Sequence, residues 1–184
     1  MRADARANRD RLLVVAGDVI TEQGADASMR DIARRAGVGL ATLLRHFPTR
    51  EALLEALLRT SFDELTARAA EVETASSPED ALKLWLRDFV ARTTDYRGVV
   101  TSMMRAIEDP ESALHNSCVT MRAAGTRLLN RAQAADVARA DLDGADLFAL
   151  ASSLAWLGDQ PGLEPRAEHL FEVVMSAILT NRAN

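Results

Sequence analysis

Two short amphipathic segments joined at Ala36-Gly37-Val38 constrain this 184-residue chain more than any other stretch. Ser28 stands three positions before Asp31, a capping-box-like pair able to satisfy orphan N–H groups at a helix start. Met29, Ile32, Ala33 and Ala36 then recur at the spacing of one apolar helical face. Gly37 follows the last of them and can take the left-handed conformation that closes a helix with no Cβ penalty. Val38 can fill the apolar gap behind that turn. From Gly39 to Phe47 a second helix buries Leu43 and Phe47, leaving Leu40, Ala41, Thr42, Leu44, Arg45 and His46 outward or sideways. This punctuation describes a helix-turn-helix whose second member carries small and basic exposed residues, a surface suited to a DNA major groove.

The charge distribution agrees. Twenty-two basic against 27 acidic residues give net −5, which argues against a protein that coats nucleic acid without selectivity. Residues 1–50, however, hold nine Arg against six acids, whereas the rest of the chain is strongly acidic. Only the N-terminal part offers phosphate a favourable face. Within it, Arg45 and His46 are candidates to touch bases or phosphates. Arg50 starts the next helix, where its charge and the helix N-terminus can meet a phosphate together. Arg30 can contribute; Arg34 and Arg35 read as solvated.

Apolar residues keep helical spacing throughout, and β-branched residues do not alternate with polar ones, so the fold class is all-α with about nine helices. Leu12, Leu13, Ala16, Val19 and Ile20 form the stripe of a first helix ending near Gly24. Thr49 caps a longer one, with Leu53, Leu54, Leu57, Leu58, Phe62 and Leu65 on its buried side. At residues 74–80 Ser77, Pro78 and the acids after them are start signals for a helix carrying Leu82, Trp85, Leu86, Phe89 and Val90. Short and long helices over about 99–107 and 111–134 follow, with Gly125 able to kink or loosen the longer one. The last two span about 144–158 and 166–180. The expected domains are 1–58, with the helix-turn-helix at about 29–48, and 59–184.

The run AGVGLATLLRHFPTREAL at 36–53 resembles the N-terminal domain of the TetR family of bacterial transcriptional regulators, and the likeness extends over about residues 8–58. Two positions depart from the family pattern. Ser or Thr is usual where Gly39 stands, so a hydroxyl cap is missing at a cost of a few tenths of a kcal/mol. Tyr is usual where Leu44 stands, and its contact with the DNA backbone goes with it. The segments LWLRDFVARTTDYRGVV and LLNRAQAADVARADLDGADLFAL resemble the C-terminal domains of an actinobacterial-type TetR subgroup, except that Ala135 occupies an expected glycine position. The resemblance implies double-stranded DNA as partner, contacted through Arg30, Gly39, Leu40, Ala41, Thr42, Leu44, Arg45, His46 and Arg50. It implies a homodimer on a palindromic operator, acting as a repressor that a small-molecule effector releases. The rival is a dimeric helical ligand-binding protein that has lost operator binding, for which Gly39 and Leu44 are the hints.

The final helix is apolar on more than one side, so it is either central in its own domain or set against a partner. In TetR-like proteins the last two helices pair with their mates as a four-helix interface, which here implies Phe148, Leu154, Leu170, Val174 and Ile178. Trp85, Phe89, Met103, Met104, Ile107, Met121 and Trp156 form an apolar set able to line a ligand cavity or simply a core.

Other chemistries lack their residues. His46, His115, His169 and Cys118 are scattered without paired-ligand spacing, so no metal or cofactor is expected. No nucleophile sits in a recognisable catalytic elbow, and an enzyme is not expected. The lone Cys118 lies in a helical pattern between Leu114 and Met121 and reads as a small core residue, with a redox-sensing thiol as the alternative, and one cysteine excludes an intrachain disulfide. No apolar run is long enough to span a membrane and no export signal precedes the first helix, so a cytoplasmic protein is expected. Arginine supplies every basic residue except Lys83, a usage associated with GC-rich bacterial genomes.

Overall fold

A computed structural model describes residues 2–158, 160 and 162–180. Ten α-helices and one 3-10 turn form among them, with no strand. The helices are α1 (Arg2–Gln23), α2 (Met29–Arg35), α3 (Leu40–His46), α4 (Arg50–Ala75), α5 (Pro78–Asp95), α6 (Arg97–Ser102), α7 (Met104–Glu108), α8 (Ala113–Ala134), α9 (Gly144–Gly158) and α10 (Ala167–Ile178). The turn spans Glu164–Arg166. Nine helices become ten because the segment expected as one short helix breaks at Met103. There φ −101° and ψ 6° leave the helical region, and the Met103 N–H is shared between the carbonyls of Val99 and Val100.

The start signals read from the sequence form as hydrogen bonds. Ser28 Oγ accepts from the Asp31 N–H at 3.1 Å and donates to the Asp31 carboxylate at 2.6 Å. Ser77 and Asp80 repeat that pair at the start of α5, and Thr49 Oγ1 accepts from the Ala52 N–H at the start of α4. Asp143 serves α9, accepting from the N–H groups of Ala145 and Asp146. Each satisfies donors that a helix start leaves without an intrahelical partner. At the end of α8 the left-handed residue is Asp136, at φ +57°, rather than Ala135. Aspartate tolerates that region better than most side chains, so no glycine is needed at 135.

The chain divides into two compact units. The first joins Met1–Thr60 with Tyr96–His115, and the second joins Ser61–Asp95 with Asn116–Asn184. Two stretches of α-helix, α4 and α8, therefore contribute to both. Residues 96–115 group with the first unit, where the backbone at Gly98 comes close against Ala25.

In the first unit Leu12, Ala16, Val19 and Ile20 of α1 are buried, with Ile32 and Ala33 of α2, Leu43 of α3, Phe47, and Leu53 and Leu57 of α4. The second unit is centred on α5 packed against α9. Trp85 is fully buried, stacks on Phe89 at 5.7 Å between ring centroids and meets the edge of Phe148 at 5.9 Å. Its indole Nε1 donates to the Leu65 carbonyl at 2.8 Å, which satisfies the one polar atom such a ring brings into a core. Lys83 and Arg87 on α5 reach Glu168 and Glu172 on α10 at 2.7–2.8 Å.

Candidate nucleic-acid interface

The turn between α2 and α3 is closed as the sequence requires. Gly37 adopts φ +68°, and the Val38 N–H reaches back to the Ala33 carbonyl at 3.0 Å, consuming an acceptor that the end of α2 leaves open. Gly39 then starts α3 with extended dihedrals and no side-chain cap. With Leu43 and Phe47 buried, α3 has one rotational setting, and Ala41, Leu44 and Arg45 emerge together on its outer side. Leu44 is 37 % exposed, an uncovered apolar side chain next to the fully buried Leu43. Leu40, Thr42 and His46 sit at the margins, half-buried.

The arginines of this unit separate into two groups. Arg34 pairs with Asp31 at 2.8 Å, and Arg35 makes a two-pronged bond to Glu22, which holds that carboxyl below its usual range. Those charges are internally compensated. Among the described residues Arg30 and Arg45 enter no ion pair, and both are exposed. Arg50 stands between the two groups, its guanidinium 3.6 Å from the fully exposed Asp26. A contact of that length in water is weak enough for a phosphate to displace.

This geometry, a capped helix, a glycine turn and a second helix with an uncompensated outer face, is matched by sequence comparison. Residues 12–57 fit the profile of bacterial regulatory proteins of the tetR family, and residues 77–178 fit that of the C-terminal domain of SbtR-like transcriptional regulators. The chain belongs to the TetR family of transcriptional regulators. Solved structures of other members agree. A TetR transcriptional regulator of Streptomyces coelicolor shares 32 % identity and a TM-score of 0.76, over 94 % of this chain and 99 % of its own. A TetR regulatory protein of Mycobacterium vanbaalenii shares 33 % at a TM-score of 0.74, over 97 % and 99 %. Among curated relatives, the transcriptional repressor KstR2 of Mycolicibacterium smegmatis is 36 % identical over 86 residues, 45 % of this chain and 42 % of that protein's length. The match to that relative therefore spans about two fifths of it. These relatives are transcriptional regulators, not enzymes.

The remaining sequence candidates of this TetR-family chain fall in several environments. Trp85, Phe89 and Met121 are buried in the second unit, whereas Trp156 on α9 is 59 % exposed. Met103 is buried, Met104 is 42 % exposed and Ile107 is half-buried, all three in the first unit. Of the residues assigned to a dimer interface, Phe148 completes the aromatic cluster, its ring 5.4 Å from that of Phe89. Leu154, Val174 and Ile178 line an apolar crevice of about 10 Å³ inside their own protomer, together with Leu86, Leu147, Ala151 and Met175. That volume is at the lower limit for a single water. Leu170 and Val174 stay half-exposed. The apolar residues that α9 and α10 leave exposed include Leu150, Trp156 and Val173, with Ala145, Ala149 and Ala177. The helical period places Val173 opposite buried Phe171, Met175 and Ile178, and Leu150 at the edge of the buried row of α9.

The three histidines are spent separately. His46 faces Asn8, His115 Nδ1 lies 2.8 Å from the Ile107 carbonyl, and His169 is exposed on α10. No group of His, Cys, Asp and Glu among the described residues could hold a metal ion. Burial pushes the Cys118 thiol up, only partly opposed by Arg122, which disfavours the reactive thiolate. No helix among the described residues is long and apolar enough to cross a membrane.

Proposed function

We propose that this TetR-family regulator is a cytoplasmic homodimeric repressor that binds a palindromic operator through α3 and is released by a small molecule. The observation that carries the DNA contact is the outer face of α3, where Ala41, Leu44 and Arg45 are exposed together and Arg45 enters no ion pair among the described residues. Arg45 suits bidentate recognition of guanine, while Ala41 and Leu44 supply apolar contacts of the kind made to a thymine methyl. Gly39, Leu40, Thr42 and His46 lie along the margins of that face. Arg30 and Arg50 position the domain on phosphates, Arg50 exchanging its loose contact with Asp26 for the DNA backbone.

A dimer is supported by the exposure of Leu150, Trp156 and Val173, together with half-exposed Leu170 and Val174. These residues present two adjacent helices with an apolar face of the sort that a second copy buries. On this reading the ligand enters the second unit around buried Trp85, Phe89 and Met121, where an unbranched methionine can yield to an occupant. Because α4 runs through both units, a ligand-dependent change in its second half has a covalent route to the start of that helix at Arg50. Release then requires only that the ligand bind one state better than the other.

Selection of duplexes from a random pool tests this reading. A palindromic sequence should be enriched, and an apolar ligand that quenches tryptophan fluorescence should weaken that binding. Enrichment of no sequence would overturn the operator claim, and a ligand that leaves affinity unchanged would overturn the release.

A further inference from the structure

The end of α3 is tied to α1 by a directional hydrogen-bond chain. Arg11 Nη2 donates to Asn8 Oδ1 at 3.0 Å, and Asn8 Nδ2 lies 3.3 Å from His46 Nε2. One residue further along each segment, the Arg9 guanidinium sits over the Phe47 ring at 5.0 Å. A guanidinium carries donors only, so the Asn8 atom facing Arg11 is its oxygen and the atom facing His46 is its amide nitrogen. That nitrogen also donates. His46 Nε2 must therefore offer a lone pair, and in a neutral imidazole the proton then resides on Nδ1. Isolated histidine side chains prefer the opposite tautomer.

The geometry points to Asn8 as a positioning residue for DNA recognition, fixing His46 as an Nδ1–H donor to a phosphate oxygen. This rests on α3 being the DNA-contacting helix. Nδ1 makes no hydrogen bond among the described residues, and His46 is half-buried beside exposed Arg45. Phosphate oxygens only accept. The Nδ1–H tautomer meets them with a donor, whereas the other would present a lone pair to an anion. Arg11 acts one step further back, since its charge polarises the Asn8 amide and sets which end of it faces the ring.

Two measurements test the inference. Nitrogen-15 NMR of His46 in the whole chain, under alkaline conditions where an imidazole is neutral, reads the tautomer directly without DNA. The expected spectrum has the proton on Nδ1, with Asn8→Ala shifting the balance toward Nε2. DNA affinity is then measured on the duplex that the parent protein enriches from a random pool. In His46→Asn the amide nitrogen replaces Nδ1, while in His46→Gln an amide group replaces Nε2. His46→Asn should bind roughly three- to tenfold more tightly than His46→Gln. Asn8→Ala should weaken the parent by a similar factor and have little effect in the His46→Asn background.

A parent protein with the proton on Nε2 would overturn the proposal, as would His46→Gln binding as tightly as His46→Asn. An affinity loss in Asn8→Ala with no change of tautomer would reduce Asn8 to a packing role and also overturn it. If the parent enriches no duplex, the DNA-contact reading itself fails and takes this inference with it. A parent that binds DNA with the proton on Nε2 refutes the positioning alone.

Discussion

A methyl group built on the α-carbon of Gly125 would stand 2.5 Å from Cη2 and 2.6 Å from Cζ3 of Trp85. The indole occupies the space that any side chain at 125 would need, and Phe148 closes the same socket at 2.9 Å. Helix α8 runs from Ala113 to Ala134 through this position, so the glycine admits a ring rather than marking a break. Gly125→Ala should therefore lower stability by about 1–3 kcal/mol through overpacking, even though alanine gains about 1 kcal/mol of helix propensity. Chemical denaturation followed by tryptophan fluorescence checks this. An alanine variant as stable as the parent would mean that Trp85 moves aside without cost.

That pair also shows where sequence reading stops. Ser28, Gly37, Thr49, Ser77 and the buried rows of α1, α4 and α5 were legible because each depends on neighbours within a few residues. Cap hydrogen bonds and a 3.6-residue period are local properties. Gly125 was read only by its propensity, since the ring that fills its place comes from 40 positions away. The same limit explains Phe148 and Ile178: periodicity shows that they are buried, but not whether their own protomer or a second one covers them. Residues 96–115 joined the first unit through contacts that no motif announces. The exposure of Ala41, Leu44 and Arg45 on α3 was legible because the Gly37 turn and the buried Leu43 and Phe47 fix the rotation of that helix.

Arg45→Ala and Arg50→Ala should differ in kind. Loss of a bidentate base contact at Arg45 should cost about 1–3 kcal/mol on the selected sequence and relax preference at one position per half-site. Loss of Arg50 should weaken all sequences alike and flatten the dependence of affinity on salt by about one charge per protomer. Titrations at several salt concentrations separate them. A sequence-selective effect at Arg50 would contradict its phosphate role.

Val173→Glu tests the dimer without damaging the core, because Val173 is 48 % exposed in the protomer. The variant should remain folded and sediment as a monomer at micromolar concentration. Ile178→Glu should behave otherwise. Ile178 is buried within its own protomer, and an unpaired carboxylate there should cost several kcal/mol of folding stability. A folded Val173→Glu variant that is still dimeric would place the interface elsewhere.

The link from α5 to α10 should be acid-sensitive. Lys83, hydrogen-bonded to Glu172, holds that carboxyl below its usual range, and Arg87 adds to the effect. A carboxylate with a depressed pKa contributes stability above its unfolded value, about 4.3 for glutamate, and loses it as the pH falls through the lowered folded value. The melting-temperature difference between parent and Glu172→Gln should persist at neutral pH and close below about pH 4. A gap that instead widens in acid would contradict the assigned partners.

Duplex selection with the parent protein and with Arg45→Ala in parallel decides whether α3 reads DNA. The parent should enrich a two-fold symmetric sequence, and the variant should lose preference at symmetry-related positions in both half-sites. Parent and variant enriching nothing, or enriching the same sequences equally, would contradict α3 as the reading element of this protein.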